Sequence, residues 1–419
     1  MRSIFTLAPR RLLATAAFSL AAAGTLRADD VTDWHETLVA LTATANPVVS
    51  GRDGALLSAS VFDAVNGIER RYAPIRVTET APRGASKRAA AVEAAYTILV
   101  ARFPAQAANL AAKRTASLAA IDDGESENRG VAWGRSVAQA ILAWRSTDGF
   151  TPPPPNYFGG TAIGQWRSTA PLFLPAAGTQ FANMTPWGIL SPDQFLPAGP
   201  PALDGEQYLA DFEEVKAIGR SDSAVRTGEQ TDIAQFWEGS RPVPLWNRAA
   251  LRLSAEAGDF GLSDNARLFA MLNLAIADGT IACWNAKYHY EFWRPDTAIQ
   301  QAEFDGVDET VGDPTWTPLL PSHPHPDYPS GHCSASSAAS AVLEHVFGAN
   351  VPFILESTST PGLIRNYPNF AAARSEVADA RVFLGIHFRT ACNDALAMGQ
   401  SVADYLFANK MQRLHGDGE

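Results

Sequence analysis

The stretch DNARLFAMLNLAIADGTIACWNAKYHYEFWRP, residues 264–295, decides the fold prediction. Its apolar residues recur at spacings of three and four, which is the period of an α-helix that packs against a core. Alanine fills several of the remaining positions and has the highest intrinsic helix propensity. The same period returns along most of the chain, with little of the period-two alternation of strands. The sequence therefore predicts an all-α protein of packed helical bundles.

The other helical segments fall into two groups separated by a long connection. They cover residues 55–72, 86–103, 129–146, 203–219, 226–239, 246–258, 334–347, 369–384 and 387–411. Residues 150–203 are rich in proline and glycine, but aromatic residues are interspersed, which favours an ordered connection over a flexible linker. We predict a single domain over 29–419, with an N-terminal helical part (29–150), this connection, and a C-terminal helical part (204–419).

The N-terminus has the order of an export signal. Arg10 and Arg11 precede an apolar run at 12–23, and small residues lead to a cleavage site after Ala28. A short helix of the mature fold is the alternative. The pair of arginines is compatible with either the general or the twin-arginine export route. We predict a signal peptide over 1–28 and a periplasmic or secreted mature protein.

Charge and composition exclude several classes of function. The formal net charge is −11, and residues 1–28 carry four arginines and no acid, so the mature chain is still more acidic. Such a chain lacks the cationic footprint that nucleic-acid binding needs. No later apolar run reaches about 18 residues without interruption, so no membrane span is expected.

Three cysteines, Cys283, Cys333 and Cys392, are too few for a disulfide framework. We expect small buried residues there, with one bridge as the alternative.

Three short motifs near the C-terminus combine cations and histidines. In KYHYEFWRP, Lys287 and Arg294 are seven residues apart, which returns nearly to the same helix face, and Pro295 is expected to end that helix. Two cations on one face need an anion between them or a carboxylate each, and Glu291 is a candidate carboxylate. The many aromatic residues of this motif favour burial, and burial favours the anion.

The second motif is PSHPHPDYPSGH, residues 321–332, followed by a segment with helical periodicity. A helix N-terminus offers free N–H groups and a positive dipole end to an oxyanion. Ser330 adds a hydroxyl, Gly331 allows close backbone approach, and His332 can transfer a proton. Ser330 alone could equally be an N-cap.

The histidines of this motif have an alternative interpretation. His323, His325 and His332 could hold a divalent metal, since histidine is the commonest metal ligand. Neither a set of carboxylates nor a second histidine cluster occurs at metal-ligand spacing, which favours the oxyanion.

The third motif is ARVFLGIHFR, in which Arg381 ends one helical stretch and His387 opens the next. Two residues six apart do not align on a straight helix, so Gly385 must provide a break for both to converge. In order, the chain shows Lys, six residues, Arg-Pro; then Pro-Ser-Gly-His; then Arg, five residues, His. This set resembles the signature of the vanadium-dependent haloperoxidases and the type-2 phosphatidic acid phosphatases. Stretches such as FDAVNGIERRY and SPDQFLPAGPPAL resemble the bacterial haloperoxidase-related branch.

The resemblance implies a role for each motif residue. His387 would bind vanadium directly, or attack phosphorus in a phosphatase, and His332 would be the acid–base group. Lys287 would help to bind the oxyanion and also polarise the peroxide. The implied oxyanion-binding set is Lys287, Arg294, Ser330, Gly331 and Arg381. One vanadate per chain is the implied cofactor, and phosphate, with the same shape and charge, could occupy the same site.

Two departures from the family pattern affect the surroundings of this set. Ala380 stands where many members have serine, and Ala391 where many have aspartate, so the partner that orients His387 is unassigned. Asp278 is a speculative partner for Arg381.

His325 is a candidate specificity residue. Algal bromoperoxidases resemble this chain in having histidine at the corresponding position, whereas the fungal chloroperoxidase has phenylalanine. His325 is therefore a candidate for the halide pocket, with a solvated loop histidine as the alternative.

The implied activity is oxidation of a halide by hydrogen peroxide to hypohalous acid, with bromide and iodide favoured and a small organic acceptor. An exported acid phosphatase that forms a phosphohistidine is the alternative, and a noncatalytic oxyanion-binding protein is a third class. The remaining histidines match no motif and are expected to be structural or exposed: His35, His289, His345 and His415. The sequence does not define the oligomeric state.

Overall fold

A computed structural model describes residues 29–360 and 362–414 of the protein. Within these residues there are thirteen α-helices, four short 3-10 turns and one two-stranded antiparallel sheet, so the all-α prediction is confirmed. The helices are α1 Asp30–Thr42, α2 Pro47–Glu69, α3 Lys87–Arg102, α4 Ala107–Ala119, α5 Glu125–Trp144, α6 Glu206–Ile218, α7 Gly228–Gly239, α8 Pro242–Ala257, α9 Leu262–Tyr290, α10 Pro295–Gln300, α11 Gly331–Phe347, α12 Phe370–Phe383 and α13 Arg389–Asn409. The strands are β1 Phe353–Glu356 and β2 Ile364–Tyr367. The predicted signal peptide, 1–28, and His415 lie outside the described residues.

Helix α9 is the centre of the molecule. It is 29 residues long, most of its side chains are buried, and it packs against α2, α11 and α13. Among the described helices, α9 is the one that is long and apolar enough to cross a membrane. Its surroundings explain that composition, because a helix that is apolar on all faces is what the centre of a large bundle requires.

Close approach of α11 and α13 brings the second and third motifs together. A Cβ at Gly399 of α13 would lie 2.3 Å from the carbonyl oxygen of Ser334 on α11, so only glycine fits there. The Ser337 hydroxyl donates to the carbonyl of Leu396, 2.6 Å away, across the same contact. The Ser334 hydroxyl donates to Gly279 of α9 at 2.8 Å, which fixes α11 against the central helix as well.

The connection between the two helical groups is fixed to the bundle. Trp166, Phe181 and Trp187 are buried within it. The Asp278 carboxylate of α9 accepts hydrogen bonds from the three consecutive N–H groups of residues 187–189 at 2.7, 2.7 and 3.0 Å. These bonds attach the connection directly to the central helix, nearly two turns before Trp284.

All three cysteines are buried and free. The thiol of Cys283 lies 3.4 Å from the carbonyl oxygen of Pro329. Burial raises the pKa of Cys283 to about 12, so this thiol stays protonated. The expectation of buried cysteines is confirmed, and none forms a disulfide.

His35 is a core residue. It is fully buried, its ring stacks on Phe269 at a centroid distance of 4.1 Å, and its nitrogens contact the Val31 carbonyl (2.7 Å) and the Ser58 hydroxyl (3.0 Å). Burial lowers the pKa of His35 to about 4, so the folded protein holds it neutral.

Acidification should therefore destabilise the protein through His35. The folded-state pKa lies below the unfolded value, so this contribution is complete above pH 6.5 and is lost as pH falls toward about 4. We expect His35 to account for roughly 3 kcal/mol of stability lost over that interval. Chemical denaturation at several pH values should show a shallower acid dependence in His35→Gln, while the exposed-residue control His289→Gln should follow wild type. Equal acid dependence of His35→Gln and wild type would contradict the assignment.

Candidate active site

The first motif is divided between two helices. α9 ends at Tyr290, Glu291 adopts a left-handed conformation with φ 48°, and Pro295 opens α10 with Arg294 as its N-cap. The prediction that Lys287 and Arg294 share a face of one helix, ended by Pro295, is therefore wrong. The chain turns at Glu291, and this turn brings both cations to the loop of the second motif.

Lys287 binds that loop through its ammonium group. Its Nζ lies 2.6 Å from the carbonyl oxygen of Pro326 and 3.0 Å from that of Asp327, and the side chain is completely buried. Burial lowers the pKa of Lys287 to about 7. Glu291, the candidate carboxylate partner, accepts from the Gln165 amide at 2.9 Å instead.

Arg294 joins the second motif to the third. Its Nε donates to the His325 carbonyl at 2.8 Å, and one terminal nitrogen donates to the Ile386 carbonyl at 2.6 Å. That terminal nitrogen also lies 3.2 Å from His387 Nε2, and the other lies 2.9 Å from His325 Nδ1. Burial lowers the pKa of Arg294 to about 10, so the guanidinium remains a cation.

The second motif places a helix N-terminus in the site, as predicted. Ser330 is the N-cap of α11, and its N–H donates to the Ala391 carbonyl at 2.9 Å. Its hydroxyl is buried but caps nothing and has no hydrogen-bond partner among the described residues. His332 Nε2 is likewise buried and unpartnered within the described part of the chain. Burial and the charge of Arg381 hold the pKa of His332 well below its usual range, so the imidazole is neutral.

Arg381 is fully buried in the last turn of α12. One of its terminal nitrogens donates to Glu238 of α7 at 2.8 Å, whereas Nε and the other terminal nitrogen have no partner in the residues that the structure describes. The speculative pairing of Arg381 with Asp278 is therefore wrong, because Asp278 is occupied by the backbone of the connection. Sequence spacing could not reveal Glu238, which is 143 residues from Arg381.

Glu238 also contacts a histidine of the second motif. Its other oxygen lies 3.0 Å from His323 Nε2, and the His323 ring is parallel to that of His332 at a centroid distance of 6.4 Å. Burial alone would raise the pKa of Glu238, but the charges of Arg381 and His323 hold it well below the usual range. Glu238 is thus a carboxylate that positions both Arg381 and His323.

The turn between α12 and α13 presents His387. Gly385 takes φ 78°, which provides the predicted break, and α13 begins at Arg389, two residues after His387 rather than at it. His387 Nδ1 lies 2.8 Å from Asp327 Oδ1, and both side chains are buried. Burial raises the pKa of Asp327 to about 7. Asp327 is the orienting partner that the sequence left unassigned, although it lies within the second motif itself.

These side chains converge on one cavity of about 210 Å³. Its polar lining includes His325, His332, Arg381 and His387, while Lys287 and Arg294 lie behind it and bind its walls. No carboxylate is among the lining residues of this cavity in the described chain. Buried donors without partners, next to several cations, fit a tetrahedral oxyanion such as vanadate or phosphate.

The alternative of a divalent metal site finds no support in the geometry. Among the described residues, no group of three or more histidine, cysteine, aspartate or glutamate side chains has an arrangement that could hold a metal ion. His323 and His325 stack with parallel rings 5.8 Å apart instead of pointing at a common centre.

One sequence-family model and one curated protein match part of the chain. Residues 267–416 match the sequence model of the VCPO second helical-bundle domain. Vanadium chloroperoxidase from Curvularia inaequalis is 33% identical over 153 residues, which cover 31% of this chain and 24% of that relative. The match thus spans about a quarter of the length of the curated relative.

Solved structures cover nearly the whole chain. A bacterial vanadium-dependent iodoperoxidase superposes with a TM-score of 0.80 at 23% identity, over 93% of this chain and 98% of that one. A holo-type bacterial vanadium-dependent chloroperoxidase gives 0.69 at 19% identity, over 87% and 92%. The fold is that of the vanadium haloperoxidases. The sequence match over residues 267–416 confirms the resemblance seen in the three motifs.

Removal of the carboxylate behind His387 should weaken oxyanion binding. Asp327→Ala leaves Nδ1 of His387 without its partner, and loss of such an orienting group typically costs 10–100-fold in affinity. Titration with vanadate should show this loss. Asp278→Ala is the matched control, because it removes another buried aspartate whose oxygens contact only the connection. It should lower stability but keep the vanadate affinity, and an equal loss of affinity in both variants would contradict a specific role for Asp327.

Proposed function

We propose that the protein is a vanadate-dependent haloperoxidase that uses hydrogen peroxide to oxidise a halide to hypohalous acid. The observation that carries the proposal is a cluster of buried donors that have no hydrogen-bond partner among the described residues. They lie around a cavity whose lining, in that part of the chain, holds no carboxylate, and His387, with Nδ1 2.8 Å from Asp327, also lines it. The similarity to vanadium haloperoxidases supports vanadate as the oxyanion, one per chain.

The binding roles follow from the contacts of each residue. Among the described residues, two nitrogens of Arg381 and the hydroxyl of Ser330 have no partner, and Gly331 adds a backbone N–H at the start of α11. Arg294 and Lys287 add positive charge from behind the cavity walls. His387 presents Nε2 to the cavity, since its Nδ1 faces Asp327. Vanadate, when bound, supplies a Lewis acid that activates hydrogen peroxide toward attack by a halide.

The proton chemistry falls to His332 and Lys287. His332 is neutral and its Nε2 is free among the described residues, so it can accept a proton from hydrogen peroxide. Lys287 keeps one N–H beyond its two carbonyl bonds, with which it can polarise the peroxide. The pKa of Lys287, about 7 because of burial, rises again when an anion binds nearby, which restores the ammonium charge.

The same residues could bind phosphate and form a phosphohistidine at His387. Either reaction could use the neutral His332 in proton transfer, because its lowered pKa makes it a weak base in both. The similarity to vanadium haloperoxidases, rather than the geometry, favours the haloperoxidase reaction. Export of the protein, to the periplasm or the medium, is part of the proposal and rests on the predicted signal peptide alone.

A halogenation assay with and without vanadate tests the proposed function. The wild type should brominate monochlorodimedone with hydrogen peroxide only after vanadate is added.

His387→Ala should lose this activity and most of its vanadate affinity. Arg294→Ala should weaken binding, because the guanidinium that joins the two loops is gone. The control is His345→Ala, an exposed histidine paired with Asp404, which should retain full activity. Undiminished vanadate-dependent turnover in His387→Ala would refute the ligand assignment.

Halide choice should depend on His325. Its Nδ1 is bonded to Arg294, so the imidazole affects the charge distribution at the oxyanion. We expect the wild type to oxidise iodide and bromide readily and chloride poorly, since chloride is the hardest to oxidise. His325→Phe removes the bond, leaves a drier pocket and should raise the chloride rate relative to bromide, with vanadate binding largely intact. Initial rates with each halide at fixed peroxide measure the ratio. An unchanged ratio, or efficient chlorination by the wild type, would exclude this role.

A further inference from the structure

We infer that a second cavity, outside the candidate active site, binds a free apolar α-amino acid in its zwitterionic form. The cavity has a volume of about 360 Å³, which is within the range of small-molecule sites. It shares no lining residue with the cavity of the histidines. The inference therefore goes beyond the proposed haloperoxidase function and does not depend on it.

The cavity lies between three segments of the chain. One side is the connection from Arg167 to Phe173, the second is α10 with Gln301 directly after it, and the third is the loop that follows Trp316. The Gln300 amide of α10 donates to the Trp316 carbonyl at 2.7 Å, and Arg167 donates to the Gln301 side chain at 3.2 Å. These bonds hold the three segments around the cavity.

A buried carboxylate lines this cavity without full compensation. Asp296, in the first turn of α10, is only 6% exposed. Its Oδ1 accepts from the Thr297 N–H at 2.7 Å, whereas Oδ2 forms no hydrogen bond among the described residues. Burial raises the pKa of Asp296, and the nearby Ser322 hydroxyl, which opposes that rise, has no hydrogen-bond partner in the same part of the chain.

The buried carboxylate needs a positive partner. Arg294, two residues before Asp296, directs its hydrogen bonds to the loops of the other two motifs instead. A buried polar group without a partner is costly, so the Asp296 oxygen favours a guest that brings a cation with N–H donors.

An organic ammonium group fits this carboxylate better than a metal ion. Asp296 is the one carboxylate among the described residues that line the cavity, whereas Ca²⁺ or Mg²⁺ needs several oxygen ligands. The Gln300 amide bonds through its nitrogen to Trp316, and its oxygen, which has no partner in the described chain, adds an acceptor for N–H groups. The Phe173 ring is 60% exposed and can attract the same cation through its face.

A guanidinium on the side of the connection favours a negative group in the same guest. Arg167 is the one lysine or arginine among the described lining residues, and none of them forms an ion pair with it. One terminal nitrogen donates to Gln301 Oε1 at 3.2 Å and the other to the Ala162 carbonyl at 2.8 Å. Each terminal nitrogen has two N–H groups, so one N–H on each remains for the oxygens of a carboxylate.

Four further lining residues offer apolar surface. Pro171 and Phe173 come from the connection, and Pro318 and Pro321 come from the loop after Trp316. All four are exposed or half-buried, so their rings remain available to a guest. An apolar side chain that packs against them leaves water, which is favourable. One carboxylate, one guanidinium and an apolar surface together select an apolar α-amino acid over a simple amine or a simple acid.

Calorimetric titration of the purified protein with L-phenylalanine tests the inference. Inorganic phosphate is present throughout to compete for the proposed oxyanion site, so that the carboxylate of the probe is kept from it. We expect saturable binding of one molecule per chain. Phenethylamine, which lacks the carboxylate, and 3-phenylpropionate, which lacks the ammonium group, should each bind at least about tenfold more weakly. Absence of saturable binding, or binding of either analogue as tight as that of phenylalanine, would overturn the inference.

Variants of the two charged residues separate recognition from a disturbed fold. Asp296→Asn and Arg167→Gln should each weaken the binding of phenylalanine at least about tenfold. Asp296→Asn should affect phenethylamine more than 3-phenylpropionate, and Arg167→Gln should do the reverse, whereas a collapsed cavity would affect both analogues alike and contradict the assignment. Phe173→Ala, which removes an exposed ring and no core contact, should weaken binding several-fold.

The matched controls change charges outside the cavity. Asp313 and Arg220 form a partly exposed ion pair with 3.4 Å between the two groups, and neither lines the cavity. Asp313→Asn and Arg220→Gln should therefore bind phenylalanine as the wild type does. Equal weakening in these controls and in the cavity variants would show a general charge effect and refute the site.

Discussion

The site depends on one buried cation, the guanidinium of Arg294. It donates to the carbonyls of His325 and Ile386, which belong to loops 61 residues apart, and it contacts an imidazole from each loop. Burial of an unpaired cation costs several kcal/mol unless hydrogen bonds and opposite charge compensate it. Here two carbonyls compensate part of the cost, and the oxyanion of the proposed function would compensate more.

The charged side chains around the cavity also favour an anion, because the cations lie near it and the carboxylates face other residues. Lys287, Arg294 and Arg381 are all fully buried, whereas the nearby carboxylates, Glu238 and Asp327, are turned toward Arg381, His323 and His387 instead of into the cavity. Each carboxylate therefore orients a functional side chain without repelling an anion. A ligand that binds only the folded state adds its binding free energy to stability, so the oxyanion should stabilise the fold as well as serve the reaction.

The sequence predicts the helices and the motif residues well because both depend on local spacing. Helical periodicity identified α9, and the order Pro-Ser-Gly-His placed Ser330 at a helix N-terminus. The end of α9 at Glu291, which takes a left-handed conformation, was missed. A glutamate followed by two aromatic residues is not a sequence signal for a helix end. Glu238 was missed because a pairing between α7 and α12 is a tertiary contact that no spacing encodes. Asp327 could have been considered, since it stands three residues before Ser330, but only the fold shows that it faces His387.

The burial of the three cysteines has a consequence for the lifetime of the protein. Thiols are among the side chains that strong oxidants attack first, and attack requires access and thiolate character. All three sulfur atoms are enclosed by α9, α11, α13 and the loop before α11, and the thiol of Cys283 remains protonated. Under the proposed function, the protein releases a hypohalous acid and is exposed to more of it than any other molecule nearby. Enclosed thiols leave such a catalyst with no reachable sulfhydryl for its own product to destroy.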